Sequence, residues 1–316
     1  MFIATANSLD SISEPLRDRM EIVQLSGYTM EEKLSIGKQY ITNRAVRDAG
    51  IDPKKIEIGD DILKEIITSY TREAGVRQFE RVVRTLCAKA ARTYVETKKI
   101  PKFDLKTLDK YLGPKNYSFD EAVSENMVGI TNGLAWTTYG GEMIKIEAVL
   151  MPGKGKLTLT GQLGSVMQES AHAALTYARV HAKRFGIKDS MFYDYDLHIH
   201  VPAGAVPKDG PSAGITMLTS ILSAYTNRPI NAQYAMTGEL NLCGEVMPIG
   251  GVKDKILAAK RNNIPYVILP SKNKNEIKTI KDAAKGINII WVKHADEVIK
   301  HVLSFTPTKQ NGNKRS

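Results

Sequence analysis

The sequence predicts a mixed α/β protein in which a small all-helical unit precedes a larger α+β unit. Two observations carry this. From Thr29 to Ala90, apolar residues recur at three- and four-residue steps, the period of helices that bury one face. Beyond residue 124, short strand-like runs alternate with helical stretches, the pattern of a sheet with helices packed on it. The 316 residues suffice for two or three domains of about 100–150 residues.

Residues 1–27 read as the end of another unit. Phe2 to Asn7 resembles a buried strand and Glu21 to Ser26 a second. Two short strands do not make a stable sheet, so the chain is expected to be a fragment that starts at an internal methionine. Residues 28–112 form the helical unit. Thr29-Met30-Glu31-Glu32 has the spacing of a capping box, and Leu34, Tyr40 and Ile41 supply apolar positions. A second helix starts at Asp60 or Asp61, with Ile62, Leu63, Ile66, Ile67 and Tyr70 inward. A third follows Gly75 and buries Phe79, Val83, Leu86 and Ala90. Residues 113–123, around Pro114 to Asn116, read as a linker.

The α+β unit covers 124–305. Met143 to Val149 alternates like a half-buried strand, and Pro152-Gly153-Lys154-Gly155 is expected to turn it back as a hairpin with Leu157 to Thr160. Helices are expected near 164–185, 211–225, 252–262, 273–284 and 294–304, with strands near 197–201, 234–240, 245–249, 265–269 and 287–292. The polar tail, 306–316, has the composition of a disordered segment.

Composition excludes several classes. No apolar run reaches the roughly 18–20 residues of a membrane span, and the first residues lack the pattern of a secretory signal. Two cysteines, Cys87 and Cys243, give no disulfide framework and fit a reducing cytoplasm. The net charge of +10 favours nonspecific contact with polyanions such as DNA. No zinc-finger spacing or aromatic RNA-binding motif accompanies it. There is no Gly-x4-Gly-Lys-Ser/Thr phosphate loop.

Chemistry concentrates at Lys208-Asp209-Gly210-Pro211-Ser212-Ala213-Gly214, where a small-residue loop opens an apolar helix. Two readings of Ser212 stand side by side. It is a helix N-cap, or a nucleophile whose oxyanion would lie against the N–H groups and positive dipole end of that helix. Gly210 to Gly214 matches Gly-x-Ser-x-Gly, but that motif needs a strand running directly into the serine. Here the nearest strand ends near Val201.

A serine needs a base. Val252, Lys255, Ile256 and Ala259 share one helix face, so Lys255 is a cation among apolar residues. Either its stem covers apolar surface while its head reaches water, or burial lowers its pKa and makes it a base. Histidines compete for that role. His198 and His200 share a strand face, and His294 and His301 with Asp296 follow the serine in Ser…Asp…His order. No third ligand completes a metal site with the first pair.

Four segments then resemble, in order, the protease domain of the Lon family of ATP-dependent serine proteases: His198-Ile199-His200-Val201-Pro202, Pro207 to Gly214, Met236-Thr237-Gly238-Glu239, and Pro248 to Lys255. The resemblance spans about residues 1–303. It implies a Ser212–Lys255 dyad that cleaves unfolded or damaged polypeptides, with Thr237 orienting the lysine and Asp209 shaping the site. It also implies a helical lid, a hexameric ring and cytoplasmic work in protein quality control, with no cofactor for the peptide chemistry. Ala203 departs from the glutamate expected there. By the same resemblance, Asn7, Arg19 and Arg77 match the sensor-1, arginine-finger and sensor-2 positions of an AAA+ module. They would serve ATP and magnesium only if the missing part of that module were supplied. Two other readings remain: a basic DNA-binding or assembly remnant with a dead site, and a Ser–His hydrolase using His198, His200 or His294.

Overall fold

A computed structural model describes residues 2–6, 12–23, 25, 27–99, 101–116, 122–137, 140–202 and 208–303. α1 (Glu14–Arg17) precedes the first unit, which holds α2 (Met30–Ile36), α3 (Thr42–Asp48), α4 (Asp60–Glu65), α5 (Arg77–Thr97) and α6 (Leu108–Leu112). The capping box forms: Glu32 N–H donates to Thr29 Oγ1 at 3.1 Å, and Thr29 N–H to Glu32 Oε2 at 2.7 Å. The N-terminus of α5 is satisfied by Glu73, whose carboxylate accepts from the N–H groups of Gln78 and Phe79. Ile41, Val46, Ile62, Leu63, Ile66, Phe79, Val83, Leu86 and Ala90 form one buried cluster.

One of the apolar positions read from the sequence is not buried, and one expectation fails. Tyr40 is exposed, whereas Ile41 is buried. Both lie in a π-helical segment, Gly37–Ile41, that buries Gly37 and Ile41 and leaves Tyr40 outside. Residues 2–6, 21–23 and 25 form no strand, and Phe2, Ile3, Val23 and Leu25 are exposed. A strand needs a neighbouring backbone to pair with, and none of the described strands lies beside them. Asn7 and the tail from 304 onward lie outside the described residues, as do Gln24 and Ser26.

The second unit adds β1 (Met127–Val128), β2 (Ile130–Thr137), β3 (Gly140–Pro152), β4 (Leu157–Thr160), α7 (Ser165–Val180), α8 (Met191–Asp194), β5 (Tyr195–His200), α9 (Gly214–Thr226), β6 (Pro229–Ile230), β7 (Tyr234–Met236), β8 (Glu239–Leu240), β9 (Val246–Met247), α10 (Val252–Arg261), β10 (Tyr266–Pro270), α11 (Lys281–Ala284), β11 (Asn288–Val292) and α12 (Ala295–Val302). The main sheet has seven strands in the order β11-β10-β7-β2-β3-β5-β4. Its β11, β10, β7 and β2 are parallel, and β3 runs antiparallel to both β2 and β5.

The expected hairpin of β3 with β4 does not form: β4 pairs parallel with β5, on the far side from β3. Asp196, at the start of β5, explains the routing. Its carboxylate accepts from the N–H groups of Lys154 and Lys156 at 2.8 Å each, drawing the glycine turn around the end of β5.

Alternation sorts the sheet residues onto two faces. Ile146, Ala148, Leu197, Ile199, Met236 and Ile268 pack against α7, α9 and α12. Leu134, Met143, Ala235, Val267 and Leu269 pack against α10. The helix bearing Ser212 and the helix bearing Lys255 thus lie on opposite faces, and their site forms where the loop after β7 passes between them.

The two units meet through polar groups. Arg72 pairs with Glu142 of β3, with Nη2 2.5 Å from Oε2 and Nε 2.9 Å from Oε1. Lys260 of α10 lies 3.9 Å from Glu31 of α2. Buried Lys33 donates to the Glu73 carbonyl. Burial holds its pKa below the usual range, while Glu73 opposes that fall, and Arg261 and Asp254 act on it from the second unit.

Candidate active site

Ser212 is the middle residue of a one-turn 3-10 segment, Pro211–Ala213, that leads directly into α9. Gly210, at φ +128, makes the bend before it, a conformation other residues rarely adopt. The Ser212 carbonyl accepts from Gly238 N–H at 2.8 Å and from Thr237 Oγ1 at 3.1 Å. Ile215 N–H donates to the Gly238 carbonyl at 3.1 Å. The serine turn is therefore bolted to the loop after β7. Gly214 allows the close approach, because a Cβ there would stand 2.8 Å from Leu240 N.

Lys255 comes from α10, on its apolar face as its spacing predicts, and is only 2% exposed. Its Nζ lies 3.2 Å from Ser212 Oγ and 3.1 Å from Thr237 Oγ1. Burial pulls its pKa down to about 8. Its place in the first turns of α10, near the positive end of the helix dipole, acts in the same direction. The head group does not reach water, so the snorkelling alternative fails.

Thr237, fully buried, fixes which proton goes where. Its hydroxyl hydrogen is committed to the Ser212 carbonyl, so its oxygen accepts from Lys255. A neutral lysine that gives one N–H to Thr237 can turn its lone pair toward the Ser212 O–H.

Asp209 sits three residues before Ser212. Its Oδ1 accepts from Met167 N–H and Gly210 N–H, both at 2.9 Å. It thus caps the start of α7 from another segment and holds the loop before the serine against it. Two groups at the site were not visible in the motifs. Ser170 Oγ donates to the Pro211 carbonyl at 3.3 Å. Gly141 of β3 lies against the backbone of α10, where a Cβ would be 1.9 Å from the Asp254 carbonyl. The Gly140-Gly141 pair is the one sequence signal of that approach.

The histidines are engaged elsewhere. His198 Nε2 and His200 Nδ1 lie 2.9 and 2.7 Å from Thr160 Oγ1 on the β5–β4 half of the sheet. His294 caps α12 through Asp296 N–H, and its Nε2 is 3.2 Å from the Cys243 carbonyl. Asp296 is bound to Arg184 and Tyr177. His301 lies by the Tyr234 ring. None of these hydrogen bonds goes to Ser212. Cys87 is buried, its thiol pushed up to about 11, and Cys243 is exposed; both are free. Among the described residues, no group of three or more His, Cys, Asp or Glu could hold a metal, and no helix is long and apolar enough to cross a membrane. Arg19 and Arg77 are exposed and stand apart from this site, Arg77 at the first position of α5.

Comparison with known proteins gives two adjoining family matches. Residues 102–305 match the Lon protease (S16) C-terminal proteolytic domain. Residues 47–103 match the Lon protease AAA+ ATPase lid domain. The chain is similar to a Lon protease of Geobacter metallireducens, at 48% identity over 309 residues, which are 97% of this chain and 38% of that protein. It is similar to a Lon protease of Syntrophomonas wolfei at 48% over 305 residues, 96% of this chain and 38% of that protein. Lon protease 1 of Thermus thermophilus is 48% identical over 302 residues, 95% of this chain and 38% of that protein. The chain spans about two fifths of the length of these relatives.

Proposed function

This chain belongs to the Lon protease family, and from that premise we propose that it is a serine endopeptidase with Ser212 as nucleophile and Lys255 as base. The observation that carries the reading is the buried Lys255 Nζ, 3.2 Å from Ser212 Oγ, with its pKa lowered to about 8. Neutral Lys255 takes the Ser212 proton as Oγ attacks the scissile carbonyl. The oxyanion is held by backbone N–H groups around the serine, at the turn that opens into α9. The resulting ammonium gives its proton to the leaving amine, and the acyl ester remains on Ser212. Lys255, neutral again, deprotonates the water that hydrolyses the ester. Thr237 holds the lysine for both transfers, and Asp209 keeps the serine loop in place.

The intact family holoenzyme supplies the wider reading. The substrates are unfolded or damaged polypeptides, and the working form is a ring, hexameric by family resemblance, in the cytoplasm. Exposed apolar residues such as Trp136, Val149 and Met151 are compatible with such assembly. The net charge of +10 supports nonspecific DNA contact. Arg77 and Arg19 would address nucleotide in a neighbouring or completed AAA+ module, as would Asn7 by the same resemblance. The residues present do not by themselves fit ATP and magnesium: no phosphate loop is in the sequence, and both arginines are exposed. No step of the peptide chemistry runs through ATP.

Hydrolysis of a small fluorogenic peptide without ATP tests the proposal. Because the base must be neutral, kcat/KM is expected to rise about tenfold per pH unit below a midpoint near 8 and to level off above it. Lys255→Ala is expected to lose about 10³-fold or more, and His200→Ala to stay near the parent. Unchanged turnover in Lys255→Ala refutes the dyad, and loss confined to the histidine variant restores the Ser–His reading.

A further inference from the structure

We propose that Asn273 is a positioning residue for the Lys255 base, clamping the peptide from which the lysine helix springs. The inference rests on the reading of Ser212 and Lys255 as the peptidase pair. Asn273 lies outside every motif of the site, in the 3-10 segment Ser271–Thr279 that follows β10, yet it is only 2% exposed. Its side chain grips both polar groups of one backbone residue. Oδ1 accepts from Ile249 N–H at 3.0 Å, and Nδ2 donates to the Ile249 carbonyl at 2.8 Å. The amide therefore imitates a neighbouring strand at a point where no strand runs. Glu276 completes the clamp by accepting from the same Nδ2 at 2.5 Å, which sets which end of the amide faces which backbone group.

The gripped residue is the last fixed point before a pliable turn. Gly250 and Gly251 follow Ile249, and Gly251 has φ +69 with its Cα against the Trp136 ring. The Gly251 carbonyl then accepts from Lys255 N–H at 3.0 Å. Two glycines give a turn little stiffness of its own, so the start of α10 must be held from outside. Below Ile249, Val252 and Ile256 anchor the helix in the sheet core. Above it, Asn273 supplies the polar restraint. The Nζ has to stay within hydrogen-bond reach of two hydroxyls at once, and a displacement near 1 Å at a catalytic group can cost about 100-fold.

Asn273→Asp tests this in the full chain, because it conserves volume. It keeps the acceptor for Ile249 N–H but sets a carboxylate oxygen against the Ile249 carbonyl and against Glu276. Expected are a fall in kcat of about tenfold to 100-fold, a KM within about twofold, and a rise in the acid-limb midpoint as water reaches Lys255. Amide hydrogen exchange should quicken in peptides covering 248–257 and stay unchanged in α7. Glu276→Gln, on the surface, should show the same changes at smaller size if Asn273→Asp folds poorly. Parent-like kcat, midpoint and exchange in both variants overturn the proposal. An inactive parent chain would overturn the peptidase reading instead, and hydrogen exchange at 248–257 would then decide the positioning claim by itself.

Discussion

Lys255 pays for its reactivity in stability. Its side chain is enclosed with no carboxylate partner among the interactions that set its pKa, so folding strips water from the head group and pulls the pKa from the ordinary 10.5 to about 8. Between those values the unfolded chain binds more protons than the folded one. Stability should therefore rise as pH climbs from about 8 to 10.5, and the cost should be fully present below 8. Replacing the amine with an unbranched apolar chain removes that cost. Lys255→Met is expected to abolish peptidase activity while raising the midpoint of thermal unfolding at pH 7 by about 2–4 °C, the shift that ~1 kcal/mol gives a domain of this size. A lower midpoint would mean that the lysine's two hydrogen bonds outweigh its desolvation. At this scale the sequence was informative where residues share a motif. Ser212, Lys255 and Asp209 stood in recognisable segments, and the helical period placed Lys255 inward. It was silent on Asn273 and Ser170, whose partners are 24 and 41 positions away and leave no local pattern.

Elements hold these residues in place, and α7 shows how. Its N-terminus receives no cap from its own preceding residue, Gly164. A residue at that position with a side chain would collide with the carboxylate that does the work, since a Cβ there would lie 2.3 Å from Asp209 Cγ. Asp209 thus caps a distant helix and stiffens the serine loop with one carboxylate. Asp209→Ala is expected to lower stability by about 1 kcal/mol, the usual worth of an N-cap, and to lower kcat as the loop loosens. Asp209→Asn keeps the accepting oxygen and should recover most of both. Denaturant melts and peptidase assays on the two variants check this, and equal damage from both would assign Asp209 a role that needs its charge. Element prediction succeeded where periodicity was strong, as in α5 and α9. It failed for β4, since a strand's sequence does not name its neighbour and the Asp196 carboxylate reroutes the chain across 40 residues.

The whole molecule has separate apolar cores in its helical and α+β units, joined by ionic contacts. Cooperativity between the units therefore has an electrostatic origin, unlike cooperativity within either. The Arg72–Glu142 pair is the best-placed contact, with side chains 34% and 13% exposed and bidentate geometry. Glu142 keeps a second partner in Thr137, so loss of the arginine does not strand it. The Lys260–Glu31 pair is more open and more easily screened. In calorimetry at low ionic strength, the helical unit should melt close to the α+β unit because docking stabilises it. Arg72→Ala should lower the helical transition by a few degrees and leave the α+β transition nearly in place, separating the two. About 1 M salt, where the Debye length falls to ~3 Å, should move the parent chain part of the way toward the variant. Equal shifts of both transitions would mean that the units unfold as one body, and no shift would mean that the ion pair carries none of the docking. Because Gly141, next to Glu142, lies against the carbonyl of Asp254, this docking contact also connects the helical unit to the start of the helix that carries Lys255. Peptidase kcat in Arg72→Ala should therefore fall while KM holds, measured on the same preparation.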